Sequence, residues 1–157
     1  MKKIKNPYCN MEGYNCFGCA PHNNHGLHLE FFLDGDNTIV AYWNPETYYQ
    51  GYFNVLHGGI QAALLDEAAG WVVSIILRTA GVTSRMEVRY RKPVMVTDKT
   101  LTIKAKLLEN EKRLAAIKAE LVNEKGELCA EANVQYFIFP QQTAMEKYHY
   151  PGIDAFF

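Results

Sequence analysis

Asp66 and Glu67 are adjacent carboxylates inside an otherwise apolar stretch, and a His57-Gly58-Gly59 triplet stands shortly before them. A carboxylate removed from water must find a donor, a cation or a proton. If the stretch is helical, at about 100° per residue, Glu67 falls on one stripe with Ser74 and Arg78 and reads as a solvated or interface side chain. Asp66 differs. Its helical neighbours are Ala62, Ala63, Gly70, Val73 and Leu77, so small side chains leave room beside it. That placement fits a general base or nucleophile in a pocket along the helix flank. The plain structural alternative is an Asp satisfied by backbone amides or by a partner subunit.

His57-Gly58-Gly59 supplies the complementary half of a site. Two glycines opening a helix leave its first N–H groups uncovered, at the positive end of the helix dipole, where a developing oxyanion can be held. His57 itself reads as a cap or loop-orienting residue more readily than as a catalyst. Asp66 follows Gly59 by two turns, roughly 10 Å of helix rise, which is long for two groups on one helix to meet at one carbonyl. A two-fold partner would solve the distance, combining Gly58 of one subunit with Asp66 of the other.

These residues need positioning elements. Residues 1–26 are rich in Asn, Gly, Pro, Cys and His and read as an irregular arm. LHLEFFL (27–33) and TIVAYWN (38–44) look like strands joined by a hairpin turn, and 45–56 form an aromatic loop leading to His57. A helix is expected from about Gly58 to Thr79. Four alternating runs follow, MEVRYR, TLTIKAKLL, AAIKAELV and LCAEANVQYFIF, as antiparallel strands with one wet face require. The folded domain is expected to span 27–139, and a tail of 140–157 to carry a helical turn near Met145 to Tyr150. The predicted fold is α+β, one long helix wrapped by a curved antiparallel sheet of about six strands. Because the helix is apolar on nearly all sides, one sheet covers it only in part, and a homodimer that continues the layer is expected.

Composition narrows the function classes. Lys+Arg (16) and Asp+Glu (17) cancel to a net charge of −1, so nothing suggests a nucleic-acid binder. The basic start MKKIKNPYCN has no apolar run after it, so no secretory signal is expected, and the apolar stretch reads as a core helix rather than a membrane span. Cys9, Cys16, Cys19 and Cys129 are then expected as reduced thiols in the cytoplasm. Cys16, Cys19, His22 and His25 have ligand chemistry, but one short run differs from the separated pairs of the usual structural zinc sites. An ordinary packed arm, with no metal and no cofactor, is the expectation.

The motif His57-Gly58-Gly59-x4-Leu64-x-Asp66 resembles that of the hotdog-fold thioesterases, in particular the PaaI-like acyl-CoA thioesterase group. Thr83 leading into VRYRKPV (88–94), and CFGCAPHNNHGLHLEF (16–31), are similar to further segments of that family. The resemblance covers roughly residues 16–139. It implies a site at a subunit interface of a homodimer or dimer of dimers, acting on an acyl-CoA. The Gly58 amide would polarise the thioester carbonyl, with Gly59 beside it, and Asp66 would activate water or attack directly. Thr83 would help position the water or the carboxylate, and His57 would orient the loop. Relatives often carry a polar residue upstream of the glycines; Gln50 and Asn54 are candidates here. Arg91, Lys92, Lys112 and Arg113 are candidates for the CoA nucleotide, against a plain reading as solvated strand charges. A hotdog dehydratase or hydratase, or a non-catalytic acyl-CoA or lipid-binding protein, are the competing functions. Tyr48, Tyr49, Phe53 and Trp71 are expected to bear on pocket depth.

Overall fold

The computed structural model describes residues 1–157 and holds seven strands and two helices. The strands are β1 (Lys2–Lys3), β2 (Phe31–Asp34), β3 (Thr38–Trp43), β4 (Gly81–Tyr90), β5 (Leu101–Glu111), β6 (Leu114–Val122) and β7 (Leu128–Ile138). The helices are α1 (Gly58–Ile75), between β3 and β4, and α2 (Gln141–Lys147), after β7. All strands join one antiparallel sheet in the order β1-β2-β3-β5-β6-β7-β4, with α1 packed against β3 to β7. The hotdog architecture is therefore present, with one strand more than the expected six. The extra strand is β1, which lies in the segment read as an irregular arm and pairs with β2.

Alternation sets which strand face meets the helix. Ile103 and Ala105 of β5, Ala115, Ile117 and Ala119 of β6, and Ala130, Ala132 and Val134 of β7 are buried at period two. Leu64, Leu65, Ala68, Ala69, Val72 and Val73 of α1 fill the space above them. Alanine on both surfaces lets the helix lie close to the sheet, and dispersion contacts then accumulate across the whole layer.

Three boundaries depart from the sequence reading, each for a stated reason. Residues 27–30 leave the sheet ladder because the Leu27 and Leu29 amides donate to the Phe17 and Gly18 carbonyls of the arm (2.8 and 2.9 Å). Helix α1 ends at Ile75 rather than Thr79, since Arg78 adopts a left-handed conformation (φ 55°) and terminates the turn. Strand β4 begins at Gly81, five residues before the alternating run, and contains a bulge between Thr83 and Arg85. The tail's helix, α2, runs over Gln141–Lys147, beginning upstream of the turn expected near Met145 to Tyr150. Beyond α2, Phe156 is buried in the core and its carbonyl accepts from the Lys5 amide at 2.8 Å.

No helix is long and apolar enough to cross a membrane. Strand β4 is a sheet edge with one neighbour, β7, and its ten residues are mostly exposed, Val82 and Tyr90 among them.

Candidate active site

Asp66 lies midway along α1 and is half-buried. Its Oδ1 accepts two hydroxyl hydrogen bonds, from Thr83 Oγ1 at 2.8 Å and from Tyr136 Oη at 2.9 Å, while Tyr136 Oη also lies 2.9 Å from the Asp66 carbonyl. Oδ2 has no protein partner. One oxygen is thus held and the other left open. Thr83 and Tyr136 face each other across β4 and β7, and the bulge follows Thr83 at once. A bulge re-aims the side chains around it, and here it sets Thr83 over the helix while Ser84 turns back to the Gln135 carbonyl at 3.1 Å.

Tyr136 escaped the sequence reading as a site residue because it sits in the inward register of β7, where an aromatic ring reads as core. It is buried, and burial together with the Asp66 charge pushes its phenol up, so it stays a donor. Gly70, one turn beyond Asp66 on α1, makes room for it: a Cβ there would stand 3.2 Å from Tyr136 Oη. A hydroxyl-bearing residue in the strand register facing a small-residue patch on the helix was the available signal.

At the other end of α1, His57 is the N-cap, its Nδ1 accepting from the Gly59 amide at 2.8 Å. The Ile60 and Gln61 amides donate to the His57 carbonyl at 3.0 and 3.1 Å. Of the first four helical N–H groups, only that of Gly58 is left without a protein acceptor. Tyr90 Oη donates to the Gly58 carbonyl at 2.7 Å, fastening the last residue of β4 to the first turn of α1. Within one protomer these two groups therefore stand apart, Asp66 beside the start of β4 and Gly58 beside its end.

The remaining candidates fall around these two ends. Gln50 Oε1 accepts from the Asn54 amide at 3.0 Å, and Asn54 itself turns through a left-handed conformation (φ 61°), so both shape the loop before His57. Gly51, Tyr52, Val55, Leu56, His57 and Gly58 line a depression there, flanked by the strongly exposed rings of Tyr48, Tyr52 and Phe53. Tyr49 packs on both Trp43 and Tyr48, while Trp71 stacks on Phe31 with ring centroids 4.8 Å apart, away from that loop. Arg91 pairs with Glu131 at 3.1 Å and Lys92 with Glu127, near the Gly58 end. Lys112 and Arg113 cap the β5–β6 turn near the start of β4, with no ion pair. The four basic residues thus form two groups rather than one patch.

Glu67 departs from the solvated reading. It is half-buried, and Arg78, beyond the helix end, forms no ion pair with it. Its Oε1 accepts from Trp71 Nε1 at 3.3 Å and lies within hydrogen-bond reach of Cys16 Sγ at 3.4 Å. Burial, then the nearby Cys16 charge, pushes its carboxyl up to about 7. The Cys19 thiol donates to Cys16 Sγ at 3.4 Å, which draws Cys16 down toward the thiolate and holds Cys19 up as the proton carrier. The histidines of the arm do not join them. His22 Nε2 is bonded to the Tyr14 carbonyl at 2.6 Å, and His25 is exposed.

Residues 53–130 match the family model described as the thioesterase superfamily, a span that contains both Gly58 and Asp66. The chain belongs to that superfamily. Among solved structures, this thioesterase-superfamily chain is similar to a thioesterase superfamily protein at 22% identity and TM-score 0.73, covering 78% of this chain and 62% of that one, less than two thirds of its length. It is also similar to a hypothetical thioesterase from Streptococcus pneumoniae TIGR4 solved with coenzyme A, at 25% identity and TM-score 0.67, over 72% of this chain and 87% of the other. The E. coli PaaI protein from the phenylacetic acid degradation operon shares the fold at 20% identity and TM-score 0.65, over 71% and 83% of the two chains. Among curated proteins, none matches this chain.

Proposed function

We propose that this protein is an acyl-CoA thioesterase whose site joins Asp66 of one subunit to Gly58 of a two-fold partner. The observation that carries the reading is the pair of half-sites: a carboxylate with one oxygen held and one open, and a helix-opening amide with no acceptor. The edge strand supports how they would meet. Asp66 lies beside the start of β4 and Gly58 beside its end, and antiparallel pairing of β4 with its own copy brings the end of one against the start of the other. An exposed ten-residue edge is also the surface such pairing would bury.

In the hydrolysis, Asp66 Oδ2 takes a proton from water as its oxygen bonds to the thioester carbon. The partner's Gly58 N–H donates to the carbonyl oxygen as it gains charge. The tetrahedral species then collapses, the C–S bond breaks, and the CoA sulfur recovers the proton from Asp66. Thr83 and Tyr136 keep Oδ1 fixed throughout. Direct attack by Asp66, through a mixed anhydride that water then opens, uses the same atoms; single turnover in heavy-oxygen water separates the two, because only the anhydride route labels Asp66. The hypothetical S. pneumoniae thioesterase was solved with coenzyme A, and its structures include variants with an aspartate or a threonine replaced by alanine, the two residue types that meet here. The aromatic loop before His57 is placed to receive the acyl group, and Gln50 or Asn54 to share its carbonyl. Arg91 and Lys92, or Lys112 and Arg113, would meet the nucleotide, and free thiols fit a cytoplasmic setting.

Thiol release from a panel of acyl-CoAs tests the reading. Wild type is expected to turn over at least one class, and Asp66→Ala to lose about 10² to 10⁴ of kcat with the fold intact. A folded wild type that binds acyl-CoA saturably yet hydrolyses none would favour a binding role instead.

A further inference from the structure

The N-terminal arm reaches α1 at Glu67, and what it brings there is a set of metal-ligating atoms. Cys16 Sγ, Cys19 Sγ and a Glu67 carboxylate oxygen all lie within 4.8 Å of one another. We propose that Cys16, Cys19 and Glu67 form a binding site for one zinc-class divalent cation, which fastens the arm to the central helix. The site is separate from the hydrolytic one and does not rest on it.

The spacing fits the coordination. Zinc–sulfur bonds of about 2.3 Å and zinc–oxygen bonds of about 2.0 Å in a tetrahedron put neighbouring ligand atoms about 3.5 to 3.8 Å apart. Cys16 Sγ lies 3.4 Å from Cys19 Sγ and 3.4 Å from Glu67 Oε1. The backbone is shaped for the same purpose. Cys16 and Cys19 close into a Cys-x2-Cys knuckle, and the backbone of Gly18 and Cys19 acts with the Cys19 thiol to favour the Cys16 thiolate. Gly18 lies directly over the carboxylate: a Cβ there would stand 2.3 Å from the Glu67 carboxyl carbon, so a larger residue would push the carboxylate away from the knuckle.

Supporting residues hold the ligands from behind. Trp71 Nε1 donates to Glu67 Oε1 at 3.3 Å, and Asn6 Nδ2 donates to the Cys19 carbonyl at 3.1 Å and to Tyr14 Oη at 2.9 Å. Tyr14 Oη stands 3.1 Å from Cys19 Sγ, beside the fourth position, which is left to a solvent molecule. No lysine, arginine or histidine pairs with Glu67. Two thiolates and a carboxylate select a borderline-soft cation over magnesium or calcium, which prefer all-oxygen shells. Binding exchanges the thiol protons for the metal, so protons are released to buffer as the site fills.

The test is cobalt titration of the reduced full-length protein, followed by zinc displacement. The expected result is one cobalt per protomer with sulfur-to-cobalt charge-transfer absorption and tetrahedral visible bands, both abolished by zinc. Cys16→Ser and Cys19→Ser are expected to lose the charge-transfer intensity and to weaken zinc at least about 100-fold, and Glu67→Gln to keep sulfur absorption while weakening zinc about 10-fold. If the serine variants do not fold, the wild-type spectrum and Glu67→Gln decide. A folded, reduced wild type with no charge-transfer band overturns the site, as does a Cys16–Cys19 disulfide that persists under reductant. Unchanged zinc affinity in Glu67→Gln removes Glu67 as a ligand and overturns the arm-to-helix assignment.

Discussion

Asp66 Oδ1 accepts from two hydroxyls of different elements, and the division of labour between its oxygens follows from that. A carboxylate with two fixed donors on one oxygen has little freedom to rotate, so Oδ2 keeps one direction. Thr83→Val and Tyr136→Phe preserve shape and remove one donor each. Each is expected to lower kcat about ten-fold with KM little changed, and the double variant to lose more than the product of the two, since both donors share one acceptor. Steady-state kinetics on the best acyl-CoA measures this. Gly58 allows a cleaner deletion. Proline is well tolerated at the first helical position, where its missing N–H serves no helical bond, and His57 is already extended (ψ 133°), as a residue before proline must be. Gly58→Pro therefore removes the proposed oxyanion donor alone. Its kcat is expected to fall about 10² to 10³ while thermal stability stays near wild type.

At the scale of elements, β4 shows what a sequence discloses and what it withholds. Alternation in MEVRYR identified a strand, and the same period placed Tyr90 on the helix side, where it meets Gly58. The bulge that sets Thr83 over Asp66 carries no comparable signal, because an extra residue is defined only against the partner strand β7. Gly81 at the strand's start has a readable purpose only in three dimensions: a Cβ would stand 2.7 Å from the Phe137 carbonyl oxygen. Gly81→Ala is expected to cost about 1 to 3 kcal/mol, visible as a lower denaturant midpoint, and to loosen Thr83 with it. Glu67 failed for a related reason. Helical periodicity gives the direction of a side chain but not what lies in that direction, and the occupant comes from residues 16–19, about fifty positions earlier. The glycine-led helix, its cap and the spaced Asp66 were legible because each depends on neighbours within a few turns.

For the whole molecule, the decisive claim is that the two half-sites complete each other between subunits, and mixing distinguishes this from a site within one chain. Asp66→Ala and Gly58→Pro are each expected to be nearly inactive as homodimers. In a mixed dimer one site carries both lesions and the other carries neither. Random exchange should therefore restore about a quarter of wild-type turnover, from half the dimers with half their sites intact. A mixture with no recovery, after exchange is verified by mass, would place both groups in one chain. The N-terminal arm belongs to this scale too, since it connects β1, Glu67 of α1 and the buried Phe156 of the tail.

The open edge of β4 has a last consequence, and it concerns mass action. If catalysis needs two copies, protein concentration becomes a variable of the rate law. Specific activity should be constant at high enzyme and fall on dilution through the dissociation constant of the pair, with half the loss at that concentration. A saturating acyl-CoA that contacts both subunits should move this curve to lower enzyme concentration, so substrate would act as a molecular glue for the assembly that consumes it. Activity measured across a dilution series, with and without a non-hydrolysable acyl-CoA analogue during preincubation, reads both effects from the same strand.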